Sequence, residues 1–262
     1  MKILLSNDDG IYAEGINTLY SFLKEEHEVF VIAPDQERSG AGSSITTKKP
    51  LKIKKIKENF FSVTGTPVDC VHLGIHEICP FKPDLLISGI NYGANMAEDL
   101  LYSGTVGAAM EGRDMSIPSM AVSAAAFKQP GSSKKNEPNF ESASKVTLIL
   151  IRKLQILDID PKITLNLNIP NSKFKDIKEI ALTTLGSWGL RNPPYIEETA
   201  SGKKKYWISH RSSVPENREN SDIGALSRGV VSLSPIGPNF LVKTESEKIS
   251  SWLKEVTLDA KK

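Results

Sequence analysis

The chain has 262 residues, 39% of them hydrophobic and 24% charged, which is too apolar for a disordered polypeptide and enough for one large domain, or one domain with an extension. Its 33 basic residues against 31 acidic ones leave a net charge of +2, so no overall field draws it to nucleic acid or to an acidic membrane surface. Two cysteines, Cys70 and Cys79, are too few for a disulfide framework or a zinc ribbon, and no stretch reaches the roughly 18 apolar residues of a membrane span, so a soluble, cytoplasmic protein with reduced thiols is expected.

Taken along the chain, Lys2-Ile-Leu-Leu-Ser6 reads as a short, fully buried strand. Residues 15–26 place Ile16, Leu19, Tyr20, Phe22 and Leu23 on roughly one helical face, and residues 28–33 (EVFVIA) form a second apolar strand stopped by Pro34. Strand, helix and strand with short joints make a βαβ unit, hence a parallel sheet. Between residues 45 and 63 the pattern changes, and the alternating Lys-rich run at 51–57 predicts a solvent-facing antiparallel strand or hairpin. Thr66-Pro67-Val68-Asp69 has the signature of a helix start, with Thr66 as N-cap, and predicts a helix to about residue 78. Strands are then expected at 84–88, 119–123 and 163–167, and helices at 105–115 and 142–154. Residues 131–138 read as a surface loop.

After Pro170 the strand–helix rhythm fades. Residues 186–220 are rich in Gly, Pro, Ser and charge, include Lys203-Lys204-Lys205, and read as an arm or subunit-contact extension. One more strand at 229–234 and a terminal helix at 245–256 follow. The organisation expected is a catalytic core over 1–170 and an extension over 171–262.

In open parallel α/β sheets, ligands bind outside the carboxyl ends of the strands. The first strand is followed by Asn7-Asp8-Asp9-Gly10, the second by the polar, glycine-rich run from Pro34 to Ser44, and the strand ending at Ser88 by Gly89-Ile90-Asn91-Tyr92-Gly93-Ala94-Asn95. Adjacent aspartates repel one another unless a cation sits between them. Two carboxylates with neutral Ser and Asn oxygens suit a hard divalent ion, Mg²⁺ or Mn²⁺. Ser103-Gly104-Thr105 precedes a small-residue helix, whose N-terminus would offer free N–H groups to a phosphate. There is no G-x-x-x-x-G-K-[ST] loop, and Cys70 has His76 where a cysteine phosphatase would have Arg.

Together these motifs resemble the SurE family, the stationary-phase survival proteins described as metal-dependent 5'/3'-nucleotidases. The resemblance is carried by Asn7-Asp8-Asp9-Gly10, the Ala33-Pro34-Asp35 to Ser39 run, Gly65-Thr66-Pro67, Ser88-Gly89-Ile90-Asn91 with Asn95, and Tyr102-Ser103-Gly104-Thr105 through Glu111-Gly112-Arg113. It is dense to about residue 125. Asn166-Leu-Asn168-Ile-Pro170, Asn220-Ser-Asp222 and Ser232-Leu-Ser-Pro235 extend it more loosely. It implies a Rossmann-like, mostly parallel sheet flanked by helices, with a C-terminal β-hairpin and helix extension that builds homodimers or homotetramers. It implies a metal held by Asp8, Asp9, Ser39 and Asn91, and a phosphate-contacting rim at Asn95, Ser103, Gly104 and Thr105. The activity implied is hydrolysis of nucleoside monophosphates, and in some members of short polyphosphate. Lys203-Lys204-Lys205 match no motif of the family.

The expected chemistry is metal-assisted hydrolysis of a phosphomonoester, with Asp8 or Asp9 orienting the water or accepting its proton. An aspartyl-phosphate intermediate is an open alternative. The competing class is a nucleotide- or phosphate-binding regulatory module that does not turn over, since receiver-type domains also carry an acidic pair after their first strand. A third reading makes the Asp pair and the glycine loops purely structural.

Overall fold

The computed structural model describes residues 1–115, 118–126, 137–154, 160–199, 202–208, 218–237 and 249–251. Its centre is a run of apolar strands too short and too evenly hydrophobic to tolerate water on either side. β1 (Lys2–Ser6) lies between β2 (Glu28–Pro34) and β5 (Leu85–Tyr92), parallel to both. β6 (Ser119–Ala124) and β7 (Thr164–Ile169) continue the parallel sheet beyond β5. On the other side of β2, β4 (Phe60–Val63) pairs in parallel, and β3 (Ile53–Lys57) closes the edge antiparallel to β4. The Lys-rich strand is thus the exposed hairpin edge that its alternation predicted, and charge there blunts pairing with another sheet.

Successive side chains of a strand point to opposite faces, and the two faces of β1 are covered by different helices. Ile3 and Leu5 pack with Ile16, Leu19 and Leu23 of α1 (Glu14–Leu23) and with Phe140, Ala143 and Val146 of α4 (Phe140–Leu154). Leu4 packs on the other face with Cys70 and Val71 of α2 (Pro67–Leu73) and Ala108 of α3 (Gly104–Glu111). The Thr66 cap is realised as a capping box: its hydroxyl accepts from Asp69 N at 3.1 Å, and Asp69 Oδ2 accepts from Thr66 N at 2.8 Å. A π-helical turn, Gly74–Ile78, completes the predicted helical stretch. Cys70 is fully buried, and burial pushes its thiol up, which suits a packing role.

The strand expected to stop at Ser88 does not stop there. β5 runs on to Tyr92, so Asn91 sits on the end of a strand instead of in a loop. The register against β6 shifts between Ser88 and Asn91 and then resumes with Asn91 opposite Ser123. Gly89 makes this passage, at φ +143°, and a Cβ there would lie 2.3 Å from the Val122 carbonyl oxygen. Two further elements were not legible as strand or helix: β8 (Ile180–Leu182) and α5 (Asp222–Ser227). β11 (Val231–Ile236) inserts between β7 and β8, antiparallel to β7, so the nine-stranded sheet itself crosses residue 170.

Within the expected arm, β9 (Tyr195–Glu198) and β10 (Lys204–Trp207) form a separate two-stranded hairpin. Its register sets Lys204 opposite Glu198 and Lys205 opposite Glu197, so two lysines of the run face acidic cross-strand partners. The arm's residues 209–217 and most of the loop at 131–138 lie outside the described residues. So does the predicted terminal helix except for 249–251, which are helical.

Gly89→Ala should cost on the order of 2–4 kcal/mol, because the added methyl meets backbone at a φ that L side chains rarely adopt. Thermal and denaturant unfolding measure this, and a parent-like midpoint would contradict the close approach to Val122.

Candidate active site

Three strand ends meet at one rim, as the topology requires of neighbours β2, β1 and β5. After β1 the chain turns at once. Asn7, fully buried, closes that turn by donating from Nδ2 to Gly10 O at 2.9 Å and accepting from Gly10 N at 3.2 Å. Asp8 and Asp9 lie inside this clamped turn. Ile11 N donates to Pro34 O at 2.9 Å, and Arg38 N donates to Asp8 O at 2.7 Å, so the loop after β2 is tied to the acidic turn by backbone alone.

The two carboxylates are held from different sides. Asp8 is 4% exposed, and its Oδ1 accepts a 2.5 Å hydrogen bond from the Thr105 hydroxyl in the first turn of α3. Gly104 is required here, since a Cβ at that position would lie 2.9 Å from Asp8 Oδ2. Asp9 Oδ2 accepts from Tyr92 N at 3.2 Å. Burial pushes the Asp8 carboxyl above the ordinary carboxylate range, against the pull of Thr105, and the Glu37 charge adds to the rise. Asp9 is pushed up to about 6, first by burial and then by the charge of Asp8. Among the described residues no Lys or Arg side chain forms an ion pair with either aspartate.

Of the other residues expected at the site, Ser39 shares a cavity of about 360 Å³ with Asp9, Glu37 and Tyr92. Its hydroxyl donates to Glu37 Oε1 at 2.9 Å, and nothing among the described residues donates to it. Asn91 donates from Nδ2 to Gly93 O at 2.9 Å, and nothing among the described residues donates to its Oδ1. Asp9 Oδ1 likewise receives no hydrogen bond there. Hydroxyl, amide and carboxylate therefore present unengaged oxygen acceptors beside an uncompensated acidic pair, which is the donor chemistry of a hard divalent cation. No trio of His, Cys, Asp or Glu among the described residues could hold a metal, so a cation would depend on Ser39 and Asn91 as well as the aspartates.

The expected phosphate rim is arranged differently from a row of free hydroxyls. The Ser103 hydroxyl accepts from Val106 N at 3.1 Å and so caps α3, while the Thr105 hydroxyl serves Asp8. Asn95 does not reach the aspartates by any hydrogen bond among the described residues. Its Nδ2 donates to Ser123 Oγ at 2.9 Å, and its backbone oxygen accepts from Asn166 at 3.0 Å and Asn168 at 2.9 Å. Residues to which the sequence reading gave no role are Glu37, which faces both aspartates electrostatically, Tyr92, and Phe140 of α4. Glu37 stood in the loop after the second strand, but no spacing rule distinguished it from its neighbours. Phe140 lies about 25 residues from the nearest motif, and no local signal could have placed it.

A family model described as survival protein SurE matches residues 3–192. The chain belongs to the SurE family. Among curated SurE relatives, "5'-nucleotidase SurE" of Pseudomonas syringae pv. syringae (strain B728a) is 39% identical over 253 residues, covering 97% of this chain and 98% of the relative. The protein of the same name from Methylobacillus flagellatus is 37% identical over 253 residues, 97% of this chain and 99% of its own. The crystal structure of the SurE protein from Aquifex aeolicus superposes with a TM-score of 0.81 at 38% identity, covering 97% of this chain and all of that one. The fold is thus the SurE fold over nearly its whole length, including the segments beyond residue 170.

The raised carboxyl of Asp9 has a consequence for stability in metal-free protein. The folded state holds its proton more tightly than the unfolded chain, whose aspartate titrates near 3.8. Stability therefore falls as pH rises from that value to about 6, and the loss is complete above it. In chelator at neutral pH, Asp9→Asn should melt higher than the parent, by roughly 1–3 kcal/mol, and lose this pH dependence. A variant melting at or below the parent at neutral pH would contradict the burial and repulsion that raise this carboxyl.

Proposed function

We propose that the chain is a 5'-nucleotidase that hydrolyses nucleoside monophosphates to nucleoside and phosphate with one divalent cation, Mg²⁺ or Mn²⁺, held by Asp8, Asp9, Ser39 and Asn91. The observation that carries this reading is full-length likeness to relatives named for that activity, with the acidic pair intact in this sequence. The uncompensated charge of the pair supports the cation. When bound, the cation supplies charge compensation for the carboxylates and Lewis acidity toward a phosphoryl oxygen.

The remaining work falls to side chains and backbone. Asp8 is buried and engaged by Thr105, so beyond holding the cation it is not placed to handle the water. Asp9 lines the open cavity and is the carboxylate that can orient an attacking water or take its proton. Attack by an aspartate itself is the competing route. At the expected phosphate rim of Ser103, Gly104 and Thr105, both hydroxyls are engaged and Ser103 N donates to Leu100 O at 3.3 Å, so the start of α3 serves the phosphate chiefly through the Gly104 backbone N–H. Asn95 is held rigid at the rim by Ser123, Asn166 and Asn168. Exposed Tyr195, Ile196, Tyr206 and Trp207 on the β9–β10 hairpin support self-association as a homodimer or homotetramer. No helix among the described residues is long and apolar enough to cross a membrane, and free Cys70 and Cys79 suit a reducing compartment such as the cytoplasm.

Phosphate release from a panel of nucleoside 5'- and 3'-monophosphates and short polyphosphate, with Mg²⁺, Mn²⁺ or chelator, tests the reading. Release should require the cation, and Asp9→Asn should lower it by roughly a hundredfold or more. Saturating Mn²⁺ should raise the melting temperature of the parent and not that of the variant, as binding to the folded state demands. Release that chelator leaves intact would refute the metal-dependent mechanism. Tight nucleotide binding with no release would favour the regulatory module.

A further inference from the structure

The cavity beside Asp9 holds more than the residues assigned to the cation and the phosphate. At about 360 Å³ it falls in the range of small-molecule sites, roughly 300–1,000 Å³. Besides Asp9, Glu37 and Ser39 it is lined by Glu14, Tyr92 and Phe140. The two aromatic rings meet edge to face, with centroids 6.5 Å apart and planes at 63°. Phe140 is 7% exposed and belongs to the core between the sheet and α4. Tyr92 is 44% exposed, a large ring left open to solvent at the mouth of the site. Its position is fixed from below, because its own N–H is bonded to Asp9.

Charge decides which end of a substrate goes where. Glu14 repels an anion, so a phosphoryl group is directed away from it, toward the cation and the start of α3, whereas Glu37 stands with the aspartates and Ser39. The neutral remainder of the molecule must then lie against the aromatic walls. Carboxylate acceptors there match hydrogen-bond donors such as ribose hydroxyls and exocyclic amino groups. An exposed aromatic face matches a planar heterocycle, which stacks on it with little regard to base identity. Resting on the nucleotidase reading, we propose that Tyr92 is the specificity-determining residue of the site: the substrate's base stacks on its ring, Phe140 braces that ring from the core, and Glu14 accepts a hydrogen bond from the nucleoside.

The test compares adenosine 5'-monophosphate with ribose 5-phosphate, which carries the same phosphate and sugar but no base. In Tyr92→Ala the ratio of kcat/KM for the two substrates should fall about tenfold or more, chiefly through KM for the nucleotide. Tyr92→Phe, which keeps the ring, should retain the parent's ratio. Because the ratio is taken within each protein, a partly misfolded preparation cancels. An unchanged ratio in Tyr92→Ala, or an equal loss on both substrates, would overturn the stacking wall. If the parent released no phosphate from adenosine 5'-monophosphate, the nucleotidase reading would fail separately. Equilibrium dialysis of adenosine against parent and Tyr92→Ala would then still decide the wall: weaker binding by the variant supports it, and equal binding overturns it.

Discussion

Asp8 and Asp9 are neighbours in the chain and neighbours in charge, placed at the end of a strand with no exposed face. Burial alone makes each ionised carboxylate costly, and each makes the other costlier. Much of the surrounding structure holds them in place despite that repulsion. Asn7 clamps the turn, the Thr105 hydroxyl and the start of α3 face Asp8, and the backbone of Tyr92 holds Asp9. None of these partners carries a positive charge. The site is therefore held in place yet electrostatically incomplete, a state that a bound cation would relieve.

Holding the pair this way sets demands on elements far from it in sequence. Gly104 must lack a side chain so that α3 can bring its first turn against Asp8. Gly89 must lack one so that β5 can pass Val122 and carry Asn91 and Tyr92 to the rim. Asp9 thereby lines one cavity with Ser39 and the half-exposed ring of Tyr92.

The C-terminal segment braces this rim as well as extending the sheet. Asp222, fully buried, accepts from Ala97 N and Gly186 N, each at 2.8 Å, and so pins the chain just after Asn95. Trp188 N donates to Glu98 Oε2 at 3.0 Å, and the Trp188 ring packs with Met96, Ala97 and Ile223. Asn166 and Asn168 on β7 grip the Asn95 backbone. The loop that carries Asn95 is thereby tied down by residues up to about 125 positions away.

Apolar strands, helix faces and the Thr66 cap are local signals, and the alternation that makes a parallel sheet with helices on both sides was legible from them. So was the acidic pair, because adjacent carboxylates after a buried strand are conspicuous in any sequence. What periodicity could not carry was the course of the chain through Gly89, since a strand that shifts register and continues looks, residue by residue, like a strand followed by a loop. β8 and α5 were missed because a three-residue strand and a six-residue helix have too little pattern to stand out. The residue types and their order determined by themselves a βαβ core with an acidic pair at its carboxyl rim. Only the tertiary structure decided that Thr105 serves Asp8, that Glu37 joins the pair, and that Tyr92 and Phe140 form one wall, because these contacts link residues as much as about a hundred positions apart, and only packing brings such residues together.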